Sequence, residues 1–468
     1  MTSAKAEPFA TSYRHPEAGG AQDIFQPRSN KVPLPLIERA QGIYQWDEHG
    51  KEYIDASSGP VVSNIGHGNE HVAEAMARQA RTVDFAYCSH ARNQANIDVT
   101  ARIAELAGPG FERVCLTSGG SEAMECALKF LRHYALVTGT PSRTRIITCY
   151  PSYHGGTMAT LAMSGDEAVK PFLEGMAGLS LRVPSPLTYR LPQNHTVATY
   201  ARHCAEALED TIKKAGADNI LAFVLEPVGG LATGCNVPPT EYFRQVRDIC
   251  TKHGITLVFD EVLCGTGRTG RFLAAHNWPD ALPDVVVMAK GLGSGYTPLG
   301  ATLFPARLAD KLAETVGFGF FHTYSANPIS CATALAVLEE YDRLGVLANT
   351  REMGAYLRGQ LEAMKDKSPV VGDIRGLGLV MAMEVVTDKA GKGKFPESFS
   401  PVDLIKMKGL ENGLLVYGRR TANGHNGDWI MVSPPMTITR AECDELMRRL
   451  TATMTAFEAE VRKRGLLG

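Results

Sequence analysis

The sequence lacks the features that define several large classes of protein. It contains no run of about 18 apolar residues, so we expect no transmembrane helix. The N-terminal segment has no apolar core, so we expect no signal peptide. Lys and Arg number 48 against 50 Asp and Glu, and the resulting net charge of −2 provides no basic field for nucleic acid or an anionic membrane. These absences favour a small-molecule ligand.

The ten cysteines contain no C-x-x-C pair, and a chain of 468 residues does not depend on disulfides for its stability. Reduced thiols in a cytoplasmic protein are the simplest interpretation. Hydrophobic residues make up 44% and charged residues 21%, which is ordinary globular composition and excludes a disordered or fibrous protein. The length allows two or three domains of about 150 residues each.

Apolar segments of strand length alternate with amphipathic segments of helix length through the middle of the chain. The predicted strands span residues 113–116, 145–149, 220–225, 255–259 and 285–289, and the predicted helices span 121–136, 201–215 and 240–253. Strands that are apolar throughout indicate a sheet covered on both faces, and their alternation with helices indicates parallel strands. We therefore predict an α/β fold with a mostly parallel sheet.

The two ends of the chain differ from the middle. Residues 1–35 are polar and punctuated by Pro and Gly, which predicts an arm or loop, and residues 42–55 favour a β-hairpin. The other predicted elements are helices at 69–82, 93–107 and 331–344, a strand at 376–386, a loop at 388–401, and a C-terminal helix from the capping box of Thr439 and Glu442 to Arg464.

Short motifs for other kinds of site lack the context that those sites need. Residues 265–270 spell G-x-G-x-x-G, but a dinucleotide site needs an acidic residue about 20 positions later, where the apolar run Val285–Met288 stands. No Gly-Lys-Ser or Gly-Lys-Thr occurs, so no P-loop is expected. His67 and His71 are spaced i,i+4, but Gly68 between them indicates a loop, and we predict no metal site.

Ligands of a parallel sheet bind at the carboxyl ends of its strands, so the residues that follow each strand are candidates. The first predicted strand leads into TSGGSEA at 117–123. Two glycines allow a ligand to approach the backbone, and a helix starts there with free N–H groups and the hydroxyl of Ser121, as a phosphate site requires. An ordinary strand–helix turn capped by Ser121 fits this segment equally well.

Three further strand ends carry residues that suit a planar, reactive ligand. Tyr153 stands beside a glycine pair and can lie flat on such a ligand, although a tyrosine packed on the core fits that segment better by itself. Asp260 and Glu261 end an apolar strand, where acids are costly unless paired; a structural ion pair is the alternative. Lys290 directly follows an apolar strand, which favours a nucleophilic amine of lowered pKa, although a snorkelling lysine fits as well.

The four strand ends together describe a site that none of them indicates alone. A phosphate cradle, a flat aromatic ring, a buried acid and a nucleophilic lysine are the parts of a pyridoxal 5′-phosphate site. In such a site the lysine holds the aldehyde carbon, and the acid keeps the pyridine nitrogen protonated so that the ring can accept electrons. The sequence therefore predicts pyridoxal phosphate as the cofactor.

With these residues the sequence resembles the class III aminotransferases. This family has fold type I and includes the ω-amino acid and amine:pyruvate enzymes. The resemblance runs from Gly42 to the C-terminal helix. Its most specific motifs are SGGSEA at 118–123, YHG at 153–155, LEPV at 225–228, FDEV at 259–262, GRTG at 267–270, KG at 290–291 and HTYS at 322–325.

The resemblance implies a domain organisation. It implies a large cofactor-binding domain at residues 67–330, with the mostly parallel sheet. A smaller α+β domain is implied from residues 331–468 together with residues 1–66, which also form an N-terminal arm. It further implies a homodimer or tetramer.

The resemblance also assigns roles to individual residues. Lys290 matches the Schiff-base lysine and Asp260 the partner of the pyridine nitrogen, and these two are the predicted catalytic residues. The GRTG motif is expected to be structural. The other implied cofactor contacts are Gly120 and Ser121 on the phosphate, Tyr153 and Val262 on the two ring faces, His154, Glu226, and Thr323, which reaches the phosphate of the neighbouring subunit.

The sequence departs from the family at the positions that contact substrate. In amine:pyruvate members a mobile arginine pairs with the substrate carboxylate, and Tyr417 stands in its place. Arg419 and Arg420 are two possible substitutes, between which the sequence does not choose. The tryptophan that those relatives carry near the N-terminus is Val61. With Tyr87, these residues form the predicted substrate-binding set.

The implied activity is the transfer of an amino group from an amine or ω-amino acid to a keto acid, pyruvate or 2-oxoglutarate. In this ping-pong reaction Lys290 acts first as base and then as acid. Racemases, an aminomutase and a decarboxylase share every motif above, so these reactions are alternatives with the same cofactor. A non-catalytic cofactor-binding protein is a further alternative, against which the intact Lys290 and Asp260 argue.

Overall fold

The computed structural model describes residues 34–166, 169–173, 180–315 and 317–467. Most of the predicted N-terminal arm therefore lies outside the described residues. The strands, in chain order, are β1 (Ile37–Gln41), β2 (Tyr44–Asp47), β3 (Glu52–Asp55), β4 (Arg113–Thr117), β5 (Arg145–Tyr150), β6 (Leu181–Pro184), β7 (Ile220–Leu225), β8 (Thr256–Asp260), β9 (Val285–Met288), β10 (Gly300–Phe304), β11 (Val371–Leu377), β12 (Val380–Val385), β13 (Leu414–Leu415), β14 (Tyr417–Thr421) and β15 (Gly427–Val432).

The helices alternate with the central strands and dominate the last third of the chain. In chain order they are α1 (Ser58–Val61), α2 (Glu70–Thr82), α3 (Gln94–Ala107), α4 (Gly120–Val137), α5 (Met158–Met163), α6 (Lys170–Leu173), α7 (Val197–Ala215), α8 (Thr240–Lys252), α9 (Ala306–Ala313), α10 (Pro328–Arg343), α11 (Val346–Lys367), α12 (Pro401–Glu411) and α13 (Arg440–Lys463). None of the described helices is both long enough and apolar enough to cross a bilayer.

The central sheet has seven strands in the order β4-β10-β9-β8-β7-β5-β6. Neighbouring strands are parallel except that β10 runs antiparallel to both β4 and β9. The carboxyl ends of the six other strands therefore meet at one edge of the sheet. Parallel α/β sheets bind ligands at this edge.

Both faces of the central sheet are covered, and this explains why the inner strands β7 and β9 are apolar throughout. On β7, Phe223 packs in the cluster that contains Leu208 of α7 and Val246 of α8. Val224 points to the other face and packs in the cluster that contains Phe130 of α4. Because successive side chains of a strand point to opposite faces, a strand covered twice has no position left for a polar residue.

Two four-stranded sheets complete the fold. The first has the order β1-β2-β3-β13, in which β13 pairs in parallel with β3 and so joins the start of the chain to its last third. The second is antiparallel and has the order β11-β12-β15-β14. This second sheet presents β14 to the edge of the central sheet where the strands end.

The elements predicted in the middle of the chain are confirmed to within a few residues, as is the hairpin of β2 and β3. The C-terminal helix begins at the predicted capping box, because the Thr439 hydroxyl accepts from the Glu442 N–H and the Glu442 carboxylate accepts from the Thr439 N–H. The domain boundaries at residues 66 and 330 stay a prediction.

Two strand predictions need correction. The single strand predicted at 376–386 is wrong, because β11 and β12 form a hairpin that turns at Gly378 with φ of +61°. The apolar residues on both sides of that glycine conceal the turn. Strand β10 is not predicted by the pattern at all, since its five residues follow a loop and lead into a helix without a distinctive periodicity.

Candidate active site

A cavity of about 600 Å³ opens where the strands of the central sheet end. The segments that follow β4, β5, β7, β8 and β9 all contribute to its wall, and β14 of the second small sheet closes one side. We call this space the central cavity. Among the described residues, no group of three or more His, Cys, Asp or Glu side chains is arranged to hold a metal ion.

The start of α4 forms one wall of the central cavity. Gly119 caps this 18-residue helix without a side-chain hydrogen bond, so the N–H groups of the first turn have no partner from the helix. A Cβ atom on Gly119 would project into open space, whereas one on Gly120 would lie 2.8 Å from Cγ1 of Val262. The free N–H groups and the helix dipole favour an anionic group at this point.

Ser121 extends this wall toward the loop after β5. Its hydroxyl accepts a hydrogen bond of 2.9 Å from the N–H of Gly156. Gly155 has a φ of +138°, and a Cβ atom there would lie 2.7 Å from Ser121 Oγ and 2.6 Å from Thr160 Oγ1. The loop can therefore approach the start of α4 only with glycine at position 155.

Tyr153 presents its ring to the central cavity and is 39% exposed, which is unusual for a large side chain in this interior. Its N–H donates to Glu226 Oε2 at 3.0 Å. The other oxygen of Glu226 accepts from the N–H of Gly230 at 2.8 Å. Burial raises the pKa of the Glu226 carboxyl, against the opposing effects of His154 and these two N–H groups.

Asp260 ends β8 and is only 5% exposed. Its Oδ1 accepts from the N–H of Val262 at 3.1 Å, and its Oδ2 lies 2.8 Å from Nδ1 of His154. His154 is buried, and its Nε2 has no hydrogen-bond partner. The imidazole thus holds the carboxylate in one orientation at the cavity wall.

Lys290 follows β9 and lines the central cavity. Its φ of +44° lies in the left-handed region, which is unusual for a residue with a side chain. Burial lowers the pKa of the Lys290 amine, although the carboxylates of Asp260 and Glu226 oppose this effect. The lysine is therefore a stronger candidate for a base or nucleophile than a surface lysine is.

Glu261 does not belong to this site, although it stands beside Asp260 in the sequence. Its carboxyl is completely buried and accepts from the N–H groups of Ala274 and Ala275 at 2.5 and 2.7 Å. Burial raises its pKa to about 8. Glu261 accepts from the backbone of the 274–277 turn, so the alternative of a structural ion pair with a cation is wrong for this residue.

The residues predicted to contact substrate divide into two groups. Tyr417 and Arg419 line the central cavity. Arg420 points away from it and donates to the carbonyl oxygens of Pro396 at 2.9 Å and Asn423 at 2.8 Å. The structure thus separates two arginines that the sequence leaves equivalent.

The other predicted contacts lie outside the cavity wall of this chain. Val61 is buried with φ of +63°, and its neighbours Pro60 and Val62 line the cavity instead. The ring of Tyr87 packs edge-on against His90, 5.0 Å away. Thr323 is exposed at the start of the turn formed by residues 323–326.

The sequence gives no indication of the residue that pairs with Arg419. Asp166, whose carboxylate is almost completely buried, forms an ion pair with Nη2 of Arg419. The two residues are 253 positions apart in the chain, so no local pattern connects them. Only the packing of β14 against the loops of the central sheet reveals this pair.

Comparison with known proteins agrees with this geometry. The chain is 34% identical over 428 residues to the diaminobutyrate–2-oxoglutarate transaminase of Halomonas elongata, covering 89% of each chain. Two solved structures superpose closely. An (S)-enantioselective ω-transaminase from Thermomicrobium roseum has 34% identity and a TM-score of 0.85, covering 93% of this chain and 96% of its own. An amine transaminase from an uncultivated Pseudomonas species, in its PLP-bound form, has 32% identity and a TM-score of 0.84, covering 95% and 98%.

The sheet, the lysine at its edge and these structural neighbours define a fold-type I transferase. The family model "Aminotransferase class-III" matches residues 25–454, and the chain belongs to this family. It is accordingly an aminotransferase, an enzyme that moves an amino group from an amine to a keto acid. Class III aminotransferases depend on pyridoxal phosphate.

The position of Gly155 generates a first prediction. The variant G155A should take up pyridoxal phosphate with an affinity roughly tenfold lower, because its Cβ displaces the Ser121 hydroxyl and strains the backbone. The affinity is measured by titrating the apoenzyme and following the visible absorption of the bound cofactor.

Gly156 provides the matched control. A Cβ atom there would meet only Tyr153 Oη, at 4.0 Å, so G156A should bind the cofactor as the unsubstituted enzyme does. Equal affinities for G155A and the unsubstituted enzyme would show that the close approach of this loop to Ser121 does not matter for binding.

Proposed function

We propose that the central cavity holds pyridoxal phosphate and that Lys290 and Asp260 perform the catalysis. The observation that supports this proposal most directly is the convergence of three groups on one cavity. These are the amine of Lys290, the buried carboxylate of Asp260 and the free N–H groups at the start of α4. The family membership makes this cofactor the expected occupant.

The residues of the central cavity fit this cofactor. The start of α4, with Gly120 and the hydroxyl of Ser121, suits a dianionic phosphate. Asp260, ordered by His154, suits a protonated pyridine nitrogen. Tyr153 and Val262 both line the cavity and would contact the two faces of the flat ring. Glu226, which accepts a hydrogen bond from the Tyr153 N–H, is the last of the residues expected near the cofactor.

The bound cofactor would supply an electron sink for the carbon that carries the amino group. Lys290 Nζ would hold the aldehyde carbon at rest. Once the substrate amine has displaced it, the free amine of Lys290 would take a proton from the substrate carbon and return it to the former aldehyde carbon, on the other side of the nitrogen. The lowered pKa of Lys290 favours the free-base form that this first step needs. Hydrolysis would release the first product as a carbonyl compound and leave its amino group with the cofactor, and the keto acid would then take up that amino group by the reverse steps in a ping-pong sequence.

Lys290 is tested by removing its amine. We expect K290A to lack the visible absorption band that the unsubstituted enzyme forms with pyridoxal phosphate, and to lose activity by roughly 10³-fold or more. In the unsubstituted enzyme, an amine should remove the band and pyruvate or 2-oxoglutarate should restore it. Keto acid that is not consumed in step with the amine would instead indicate a racemase or decarboxylase reaction.

Lys406 on α12 is the control for this variant. Burial lowers the pKa of its amine too, but it does not line the central cavity. K406A should keep both the band and the activity. A band in K290A equal to that of K406A would overturn the assignment of the lysine.

We further propose that Arg419 binds the carboxylate of the keto acid. Its guanidinium reaches the central cavity and is neutralised there by Asp166 when no substrate carboxylate is present. A planar guanidinium binds a carboxylate through two hydrogen bonds, which suits pyruvate and 2-oxoglutarate alike. Tyr417 would line the same end, and Val61 would set the position of Pro60 and Val62. The amino donor would be an amine or ω-amino acid.

The KM values test this assignment. R419A should raise the KM for the keto acid by roughly 10- to 100-fold, because one charge-assisted pair is lost. The KM for an arylalkylamine without a carboxylate should change by less than about threefold. R420A should leave both values unchanged and lower the midpoint of urea unfolding instead, since Arg420 holds backbone carbonyls. Equal increases of both KM values in R419A would contradict the proposal.

We also propose a homodimer, or a tetramer built from it, in the cytoplasm. An exposed patch of aromatic side chains surrounds Thr323, formed by Phe320, Phe321 and Tyr324, and Tyr324 packs edge-on against the exposed Phe85. Such patches are typical of interfaces. In the dimer, Thr323 of one subunit would reach the phosphate in the other, and Tyr87 would lie near the same site. The ten free thiols agree with a reducing compartment.

A hybrid dimer distinguishes this arrangement from one in which Thr323 serves its own chain. K290A and T323A are co-expressed with different tags, and the mixed dimer is purified. Its T323A subunit supplies Lys290 and its K290A subunit supplies Thr323, so one site in two should be intact and give about half the activity of the unsubstituted dimer.

A dimer of K290A with the unsubstituted chain provides the half-active reference. Activity in the hybrid no higher than in T323A alone would show that Thr323 acts within its own chain. A monomeric mass in solution would overturn the dimer itself.

A further inference from the structure

Arg268 is a buried cation that the proposed reaction does not use. It belongs to the GRTG motif at 267–270 and is 1% exposed, among the largest fully buried side chains of the described residues. Burial lowers the pKa of its guanidinium to about 10, so it stays charged at neutral pH. An isolated buried charge is costly unless neighbouring dipoles solvate it.

The partners of Arg268 are neutral oxygens from three distant segments. Its Nε donates to Asn64 Oδ1 at 2.8 Å. Its Nη1 donates to the carbonyl oxygens of Pro434 at 2.6 Å, Ser433 at 3.2 Å and Leu379 at 3.4 Å. Its Nη2 is buried without a partner. The charge is therefore held where the N-terminal segment meets the start of β12 and the end of β15 in the second small sheet.

Asn64 connects this junction to the catalytic lysine. It is completely buried, and its Nδ2 donates to the Thr266 carbonyl at 2.9 Å and to the Tyr341 hydroxyl at 2.8 Å. The same amide packs against Gly291, where any Cβ atom would overlap it. The N–H of the next residue, Ile65, donates to Ser294 Oγ at 3.0 Å. Residues 64 and 65 thus hold both ends of the turn that begins at Lys290.

We propose that Arg268 is a positioning residue for Lys290. Through Asn64 it holds the turn that begins at Lys290, whose amine lines the central cavity. The positive charge of Arg268 also acts on that amine. This inference rests on the proposed role of Lys290, but it concerns residues that do not line the cavity.

The charges that face Lys290 determine how it titrates. Burial lowers its pKa, the carboxylates of Asp260 and Glu226 and the thiol of Cys264 raise it, and Arg268 lowers it. Tyr153, Tyr417 and Arg419 stand further along the same cavity. Because a nearby positive charge disfavours protonation, removing the guanidinium should raise the pKa of Lys290.

The test measures this titration in the apoenzyme, where no cofactor chemistry contributes. The rate at which acetic anhydride modifies Lys290 is followed against pH by peptide mass spectrometry, with Lys406 as an internal reference. R268Q should shift the Lys290 profile toward higher pH and leave that of Lys406 unchanged, because a neighbouring positive charge is removed. R268K should leave the profile within a few tenths of a unit, because it keeps the charge.

A second measurement isolates the contact through Asn64. The rate of pyridoxal phosphate uptake should fall about tenfold in R268K and in N64S, because both loosen the turn while a cation remains at position 268. R449Q is the matched control. Arg449 also holds a backbone carbonyl, that of Gly413 at 2.9 Å, but lies outside the cavity wall.

The two measurements distinguish a purely structural role of Arg268 from a positioning role. A purely structural Arg268 predicts lower stability with the Lys290 profile unmoved, and an unmoved profile in folded R268Q overturns the electrostatic part. Should R268Q not fold, uptake rates in R268K and N64S equal to that of R449Q would overturn the positioning role. Failure of the unsubstituted enzyme to take up the cofactor on Lys290 would refute the proposed function instead, while the apoenzyme profiles would still test Arg268.

Discussion

The parallel pairing of β8 with β9 is the constraint on which the site depends. It brings a carboxylate and an amine to the ends of adjacent apolar strands, Asp260 on one and Lys290 just beyond the other. Neither charge is easily solvated there, so each depends on the other and on close neighbours such as His154. The remaining elements supply those neighbours and shape the space between them.

The start of α4 and the loop after β5 shape the anionic end of that space. Gly120 and Gly155 stand where any side chain would collide with Val262 or with Ser121, so the walls approach more closely than ordinary residues allow. The second small sheet closes the opposite end by placing Arg419 and Tyr417 on β14. Arg268 and Asn64 join that sheet and the N-terminal segment beside the turn that begins at Lys290, so three parts of the chain meet there.

Much of this arrangement could be predicted because it is local in the sequence. Strands β7 and β9 are apolar because both faces of the sheet are covered, and Glu226, Asp260 and Lys290 stand at or just after the ends of their strands. The turn at Gly378 could not be predicted because the apolar residues on its two sides read as one strand, and β10 could not be predicted because its five residues between a loop and a helix have no distinctive periodicity. The direction of Glu261 was equally hidden, since adjacent residues at a strand end can point to opposite sides.

The sequence by itself determined the fold class, the cofactor expected in the cavity and the strand ends that carry Lys290, Asp260 and Tyr153. Only the tertiary structure decided between Arg419 and Arg420, which are neighbours on β14 and point to opposite faces. It also paired Arg419 with Asp166 and placed Arg268 against Asn64, across separations of 253 and 204 residues. Local periodicity reports which face of an element is buried, whereas the partner of a buried charge is set by the packing of distant segments.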